Sequence, residues 1–407
     1  MTAVTESIRR DTQIVGLISL GHLLSHLYML ALPPLFPVLR AELGLSYIEL
    51  GLAMTVFAIA TASLQTPMGF LCERLGARLI LIAGLVINAT AVGLMAFAES
   101  LLGFCALMAL AGVGSSVFHP ADYSILSGTV TETRLGRAFA IHTFGGAAGF
   151  ALAPVIMVGL ASIFDWRMAL LIVGGVGVLV ALLILVSSGV IKEGEGKKKP
   201  GGGISLRELL TSRPILLFFL FYAGSAAANV GINQFTVAAM TELYGVPLAL
   251  ANSVLTIYLF AVMVGVLPGG WAADKTASHG LLVTGGFGAC ALLVALVGVE
   301  GVGFWLALGL LTVVGVLRGF LQSSRDVMVR AIAPKASVGT VFGFVSTGFL
   351  AGQALAPPIY GALLDLGSPR VVFWVSAAFS VLCFLTVLPR SARRKETEEA
   401  VVSRPQP

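Results

Sequence analysis

Twelve apolar runs of about 20 residues each constrain this chain more than any other feature of its sequence. A helix needs about 20 apolar residues to cross a hydrocarbon core of ~30 Å. Lipid-facing β-strands alternate in polarity from residue to residue, and these runs do not. The sequence therefore predicts an all-α membrane protein with twelve transmembrane helices, at about 14–38, 47–71, 79–98, 101–127, 137–161, 167–190, 214–240, 248–272, 280–299, 302–328, 338–363 and 371–389.

The composition excludes a water-facing fold. Of the 407 residues, 57% are hydrophobic and 11% are charged, whereas a soluble domain carries about 25% charged residues. The first apolar run is too long for a signal-peptide core, so we expect it to be retained as a helix. The cysteines show no paired spacing, which favours small buried side chains over disulfides or thiolate metal sites: Cys72, Cys105, Cys290 and Cys383.

The basic residues orient the chain in the membrane. If the N-terminus is cytoplasmic, 20 of the 25 Lys and Arg residues fall on the cytoplasmic side and two fall within the tenth helix. Only Arg40, Arg167 and Arg370 fall outside. Such an asymmetry predicts that both termini are cytoplasmic, in a multi-pass protein of a cell (inner) membrane. The net charge of +5 follows from this topology and gives no reason to expect a nucleic-acid partner.

One polar stretch divides the chain into two sets of six helices. Residues 191–213 form the predicted cytoplasmic linker, with a flexible Gly/Lys-rich start and a short amphipathic helix, ISLRELLTSR, on the membrane surface. The predicted N-terminal six-helix bundle is 1–190, and the C-terminal bundle with its cytoplasmic tail is 214–407.

The two sets of helices repeat each other in sequence. PMGFLCER at 67–74 recurs as PGGWAADK at 268–275, an offset of 201 residues. ALAP at 151–154 recurs at 354–357, an offset of 203 residues. Two parallel repeats of six helices, related by an axis along the membrane normal and enclosing a site between them, are typical of transporters of the major facilitator type.

The loop after the second helix resembles the signature of that superfamily, G-x-x-x-[D/E]-[R/K]-x-G-x-[R/K]. The resemblance implies the major facilitator fold and a gating role for its residues, which we expect to stabilise the outward-open state. The acid in the signature is usually Asp, and this chain has Glu there. The residues concerned, with those of the second repeat, are Gly69, Glu73, Arg74, Arg78, Gly270, Asp274 and Lys275.

The fourth helix also resembles a family signature, with Gly112, Gly114 and Pro120 in place but Met108 where the family has arginine. A closer resemblance, to the fosmidomycin-resistance branch of efflux carriers, rests on HLLSH (22–26), LGLSYIELGL (43–52) and GSSVFHP (114–120). It implies export of a small molecule. GGAAG (145–149) matches the antiporter signature only in part and favours close helix packing.

Four histidines lie within the apolar runs of the first half, where ionisable groups usually face a cavity or a partner. His22 and His26 share one face of the first helix, and His119 and Asp122 share one face of the fourth. Four roles stay open: proton coupling, substrate contact, a structural role between helices, or a metal site of these four residues, which we favour least. His142 is expected near the cytoplasmic mouth. We expect no resident metal or cofactor.

The tenth helix carries Arg318, Gln322, Arg325 and Asp326. We expect Arg318 to bind an acidic group of the substrate, with pairing to Asp326 as the alternative. Asp122 and Arg325 stand at equivalent repeat positions and are predicted to form a cytoplasmic latch in the outward-open state, the alternative being two independent solvated residues. Neutral polar groups are further lining candidates: Gln65, Asn229, Asn233, Gln234, Tyr28 and Tyr258.

These features predict a monomeric secondary transporter in the lipid bilayer, with a small-molecule substrate and protons as its partners. The chain has no nucleotide-binding G-x-x-x-x-G-K-[ST] loop, so ATP is not the expected energy source. Proton-coupled efflux of a small organic compound or drug is the leading hypothesis, with an anionic compound favoured. The alternatives are a proton-driven importer of a carboxylate-type nutrient and a non-transporting membrane sensor or assembly factor; an enzyme is not expected.

Overall fold

A computed structural model describes residues 2–187, 206–333 and 338–387, and it confirms the all-α prediction. The first half contains eight α-helices: Thr2–Met29 (α1), Phe36–Leu43 (α2), Tyr47–Leu75 (α3), Ala77–Leu94 (α4), Leu101–Ser115 (α5), Phe118–Thr129 (α6), Leu135–Ile163 (α7) and Trp166–Val186 (α8). The remainder contains seven: Leu206–Thr211 (α9), Arg213–Tyr244 (α10), Leu248–Lys275 (α11), His279–Val297 (α12), Phe304–Ile332 (α13), Val338–Asp365 (α14) and Pro369–Val387 (α15). We call α1–α8 the N-half and α10–α15 the C-half.

The predicted transmembrane helices are present, and within the described residues eleven segments are long and apolar enough to span a membrane. The remaining prediction, 338–363, coincides with α14. The short helix predicted in the linker is α9, whereas the flexible start predicted for that linker lies outside the described residues.

Two predicted helices are interrupted, and proline explains both interruptions. The first span breaks after Met29 and passes through a 3₁₀ turn at Pro33–Leu35 before α2. The fourth span breaks between α5 and α6. Pro120 has no backbone N–H, and its ring clashes with the carbonyl four residues earlier, at Ser116, which lies at this break. The break lets the chain change direction just before His119 and Asp122.

The sequence repeat is also a repeat of packing. A Cβ built on Gly112 would lie 2.7 Å from the carbonyl oxygen of Phe57, and one on Gly315 would lie 2.5 Å from that of Tyr258. Gly112 and Gly315 are 203 residues apart, and Phe57 and Tyr258 are 201 apart. Both halves therefore bring the same two helices together at a glycine, as small residues allow in membranes.

The two halves meet along two equivalent pairs of helices. α3 packs along α14, and α7 packs against α11, as the repeat requires. A Cβ on Gly51 would lie 2.6 Å from the carbonyl oxygen of Pro357, and the equivalent Asn252 donates a hydrogen bond of 2.9 Å to the carbonyl oxygen of Pro154. The two-fold relation therefore extends to the interface between the halves.

The hydrogen bonds that join described residues of the two halves lie at one end of the molecule, which we call the joined end. Here α3 begins and α14 ends. The Thr55 hydroxyl donates to the Ala354 carbonyl oxygen at 2.7 Å, and the Tyr47 hydroxyl donates to Glu242 at 3.1 Å. The joined end is the one at which the positive-inside rule predicts the outside of the cell.

Candidate transport site

A cavity of about 270 Å³ lies between the halves. A smaller hollow of about 30 Å³ extends from the same surface toward the joined end and shares Asn229 and Asn233 with it. The N-half supplies one imidazole, one hydroxyl and two apolar side chains, whereas the C-half supplies most of the polar groups. The lining includes His26, Phe150, Asn233, Tyr258, Arg318 and Gln322.

Arg318 brings a positive charge to this cavity from α13. Its guanidinium donates to the amide oxygen of Asn229 and, at 3.1 Å, to the hydroxyl of Ser380. Its Nε is buried without a partner. No carboxylate of the described residues forms an ion pair with it, and Asp326, the alternative predicted partner, pairs with Arg325 instead. A charged group at membrane depth with only neutral partners is a candidate for binding an anion.

Arg325 has a very different environment, although it lines the same cavity. Its guanidinium lies 2.9 Å from the Asp326 carboxylate and 4.9 Å from the centre of the Tyr222 ring. The Tyr222 hydroxyl also donates to Asp326, at 3.1 Å. The charge of Arg325 is thus neutralised within its own half, which leaves Arg318 as the cavity's arginine without a carboxylate partner among the described residues.

The histidines of the N-half converge on Asp122. His22 Nδ1 lies 3.2 Å and His142 Nε2 lies 3.7 Å from Asp122 Oδ2. The rings of His22 and His142 are stacked with centroids 3.8 Å apart. The ring centroid of His26 lies 4.5 Å from that of His22, and His26 lines the cavity. His22, Asp122 and His142 are only 4%, 0% and 1% exposed, so they form a buried group directly behind the cavity wall.

Glycines of α7 create the space for this histidine cluster. A Cβ on Gly146 would lie 2.8 Å from His22 Nε2. One on Gly149 would lie 2.1 Å from the carbonyl oxygen of Leu23 and 3.0 Å from His26 Cβ. The GGAAG segment therefore allows α7 to pack closely on α1, as predicted for a segment of small residues.

Gly149→Ala is expected to lower the thermal unfolding midpoint of the purified protein, because overpacking costs about 1–3 kcal/mol when the surroundings are backbone atoms. Gly159→Ala is the matched control, since it lies on the same helix and a Cβ there meets nothing within 4 Å. Equal midpoints for the two variants, measured in the same detergent, would contradict the close packing of α1 and α7.

The two halves carry different chemistry at equivalent positions. In the first helix of each half the offset is 200 residues, because Gly149 meets the carbonyl oxygen of Leu23 and the equivalent Gly352 meets that of Ala223. The repeat therefore pairs His22 with Tyr222 and, at an offset of 203, His119 with Gln322 and Asp122 with Arg325. In the N-half the central group is a carboxylate among imidazoles, and in the C-half it is a guanidinium beside a tyrosine and Asp326. The repeat thus preserves contact geometry while the side chains have diverged.

The structure places the predicted substrate residues in three environments. His26, Asn233, Tyr258 and Arg318 line the cavity. His22 is buried behind it, and His119 is exposed, with its ring centroid 5.6 Å from that of His22. Gln65 is half-buried on α3 and does not line the cavity, since it lies on the same face as Met54 and Ala58 of the smaller hollow but two to three turns further along the helix.

The predicted latch residues are apart in this structure. Asp122 is fully buried against His22 and His142, and Arg325 pairs with Asp326. The latch was predicted for the outward-open state, so it stays a prediction. His142 differs from expectation: it is buried in the cluster and does not face a cytoplasmic mouth.

The loop signature lies at the end opposite the joined end. Gly76 turns the chain from α3 into α4 with a φ of +91°, a conformation that glycine adopts without strain. Glu73 and Arg74 are exposed, and Arg78 is half-buried.

The glycines of the two signatures meet equivalent residues. A Cβ built on Gly69 would lie 3.8 Å from Pro120, and one built on Gly270 would lie 3.8 Å from Ser323. In the second repeat, Asp274 is exposed and Lys275 lies over the Trp271 ring at 4.2 Å. The gating role of these residues stays a prediction.

Sequence reasoning missed the contacts that close the joined end. The Asp365 carboxylate binds Arg40 and accepts hydrogen bonds from the backbone N–H groups of Tyr47, at 3.0 Å, and Ile48, at 2.8 Å. An acid of the C-half therefore caps the first turn of α3 in the N-half, where helix N–H groups lack intrahelical partners.

A signal for this contact was present in the charge pattern. Arg167 and Arg370 are repeat partners and do the same task, each donating to a backbone carbonyl, of Ala96 and Val299 respectively. Arg40, the third basic residue predicted outside, has no basic repeat partner. It is the one of the three that reaches the other half, by pairing with Asp365.

The fold and the central cavity define a membrane transporter with two six-helix halves. The chain belongs to the Major Facilitator Superfamily, whose family model matches residues 18–237 and 223–407. It is accordingly a secondary transporter and not an enzyme. The resemblance inferred from the loop signature is thereby confirmed.

Individual relatives are distant. The chain is 25% identical to the fosmidomycin resistance protein of Escherichia coli (strain K12), with 97% of each chain covered. It is 23% identical to the D-galactonate transporter of Escherichia coli O6:H1 over 61% of this chain and 62% of that protein. A structure of a variant of the nucleoside transporter NupG shares the fold, with a TM-score of 0.76, 15% identity and coverage of 93% of this chain and 98% of that one.

Proposed function

We propose that this protein is a proton-coupled exporter of a small organic anion. The observation that carries the proposal is Arg318, a guanidinium on the cavity wall that is held by Asn229 and Ser380 and has no carboxylate partner among the described residues. A carboxylate, phosphate or phosphonate would supply the missing charge and accept two parallel hydrogen bonds from the planar guanidinium.

Proton coupling is supported by the histidine cluster on the opposite wall. His26 lies at the cavity surface and contacts His22, which lies against the fully buried Asp122. A proton moving from the cavity to Asp122 would neutralise a buried carboxylate, which is costly to leave charged and unpaired. The cluster therefore offers a proton site next to the anion site but separate from it.

Export is supported by the likeness to the fosmidomycin resistance protein along nearly the whole chain. With the termini in the cytoplasm, the joined end faces outside, and the cavity in this structure takes substrate from the cytoplasmic side. We further propose that the protein acts as a monomer in the cell (inner) membrane, with residues 1–190 and 214–407 as the two moving bundles and 191–213 as their linker.

The likeness to a D-galactonate transporter supports the second candidate, a proton-driven importer of a carboxylate. Arg318 serves either direction equally, so the difference lies in how proton and substrate movement are coupled. A non-transporting sensor would bind the anion at Arg318 without moving it.

The sign of the pH change in proteoliposomes distinguishes these functions. We expect that a phosphonate added outside vesicles with a trapped pH dye makes the lumen alkaline, because an antiporter releases a proton for each anion that enters. A symporter would make the lumen acidic. Phosphonates stay charged at neutral pH, so they do not carry protons across the lipid by themselves, and protein-free vesicles report any leak.

Binding without a pH change and without counterflow of labelled anion would contradict transport and favour a sensor. Counterflow without a pH change would contradict proton coupling and leave a uniporter. Screening carboxylates alongside the phosphonates identifies the anion class in the same measurement.

A further inference from the structure

Three buried side chains of the N-half have the arrangement of a metal site. The ligand atoms of His22 on α1, Asp122 on α6 and His142 on α7 all lie within 4.8 Å of one another. The two imidazole nitrogens are 3.2 Å and 3.7 Å from Asp122 Oδ2. With bonds of about 2.0–2.2 Å, two ligands of a tetrahedral Zn²⁺ ion lie about 3.3–3.6 Å apart. The two spacings to Asp122 lie close to this range, and the spacing between the two imidazole nitrogens is no more than 4.8 Å.

These atoms also lack other partners. Both carboxylate oxygens of Asp122, both ring nitrogens of His142 and Nδ1 of His22 are buried without a hydrogen bond. Buried polar groups in folded proteins are nearly always hydrogen-bonded. One ligand atom from each of the three residues lies within 4.8 Å of the other two, which favours a ligand that all three share.

A ligand shared by these three residues would have to be positively charged. Asp122 is fully buried, and no lysine or arginine of the described residues pairs with it. The other titratable groups near the cluster are His26, Cys72, His119 and Tyr123, none of which carries a permanent positive charge. A buried carboxylate without a counter-charge is strongly destabilising, and a divalent cation removes that cost while also using both imidazoles.

We propose that His22, Asp122 and His142 bind a divalent transition-metal ion, with Zn²⁺ as the best match. Two imidazoles and one carboxylate suit Zn²⁺ and its first-row neighbours, whereas Ca²⁺ and Mg²⁺ prefer oxygen ligands alone. His26 lies 4.5 Å from His22, has an unpartnered Nδ1 and opens onto the cavity. It marks both the route of entry and the open coordination position.

Metal and protons would compete for the same atoms, because histidine and aspartate bind a metal only when deprotonated. The ion would also tie together α1, α6 and α7. The affinity for Zn²⁺ is therefore expected to fall as pH falls. The bound ion is also expected to oppose any movement of these helices against one another. Metal binding itself does not depend on the proposed transport function.

The test is a titration of the purified full-length protein, without a polyhistidine tag, with Zn²⁺ and Co²⁺ in detergent. We expect one equivalent of Zn²⁺ to bind, and Co²⁺ to give the intense visible absorption of a four-coordinate site. His142→Gln and Asp122→Asn are each expected to weaken binding by about 100-fold or more, since loss of an outer-shell partner alone costs 10–100-fold.

His279→Gln is the matched control, because His279 lies at the start of α12 in the C-half and contacts Ser324 rather than this cluster. It should bind Zn²⁺ as the unmodified protein does.

Unchanged binding in both His142→Gln and Asp122→Asn would overturn the proposal, as would the absence of saturable binding by the unmodified protein. Size-exclusion profiles and thermal midpoints of the variants separate lost ligands from lost folding: weakened binding by variants that keep the unmodified profile supports the site. If His142→Gln misfolds, the Co²⁺ spectrum of the unmodified protein decides, since six-coordinate absorption would overturn the site.

Discussion

Arg318→Gln is expected to weaken binding of the transported anion by at least about 30-fold, the equivalent of about 2 kcal/mol. The guanidinium stands on the cavity wall with Asn229 and Ser380 as its partners, and its charge is not neutralised by a described carboxylate. Glutamine keeps hydrogen-bonding capacity on a shorter side chain and removes the charge. The effect should therefore be confined to acidic ligands.

Arg325→Gln is the matched control, since Arg325 lies two turns further along α13 and lines the same cavity. Its charge already pairs with Asp326, so its loss should weaken anion binding less than the loss of Arg318. Arg318→Lys should fall between the two, because an ammonium keeps the charge but not the planar pair of donors.

The measurement compares dissociation constants for the best-bound acid of a phosphonate and carboxylate panel and for a neutral amide analogue. An anionic ligand at Arg318 predicts a large loss for the acid and little change for the amide. Equal affinity of Arg318→Gln and the unmodified protein for the acid would refute the assignment and, with it, the anion-exporter proposal.

Asp365→Asn is expected to open the joined end, shifting the population from closed to open by about 5–30-fold. The carboxylate binds Arg40 and caps two N–H groups at the start of α3. Losing a helix cap together with the Arg40 ion pair is expected to cost about 1–2 kcal/mol, which corresponds to a factor of 5–30. Because cap and helix belong to different halves, this energy is lost whenever the halves separate here.

Asp165→Asn is the matched control, because Asp165 caps α8 by accepting a 2.7 Å hydrogen bond from the Met168 N–H within the N-half. It should lower stability without changing the distance between halves. Spin labels at residues 41 and 300, both exposed near the joined end, report that distance. An unchanged distance distribution in Asp365→Asn would contradict a gating role for this cap.

The sequence alone was sufficient for the membrane class, the number of helices and the repeat. These are one-dimensional properties: the length of an apolar run is matched to the bilayer, and an offset between motifs needs no coordinates. The structure adds that the repeat extends to packing, since Gly112 and Gly315 meet equivalent carbonyl oxygens. Helix breaks were predicted less well, although Pro120 marked one of them.

The positions of the candidate site residues were predicted only in part: the depth of Gln65 and the rotation of His142 both differ from expectation. His26 and Arg318 line the cavity as expected, but Gln65 does not, and His142 belongs to the buried cluster. Transmembrane helices here are apolar on nearly every face, so hydrophobic periodicity does not fix how each helix is rotated. When the rotation of a helix about its axis is not known, the neighbours of its polar residues cannot be predicted.

The amino-acid order therefore determined that this chain crosses a membrane repeatedly as two related halves, because the bilayer selects for length and hydropathy. The tertiary structure decided which polar groups meet: Asp122 with two histidines, Arg318 with neutral partners, and Asp365 with the start of α3. Those meetings depend on glycine-sized contacts between helices far apart in sequence, which fix rotation and depth together. They are what distinguishes this transporter's candidate chemistry from that of others with the same fold.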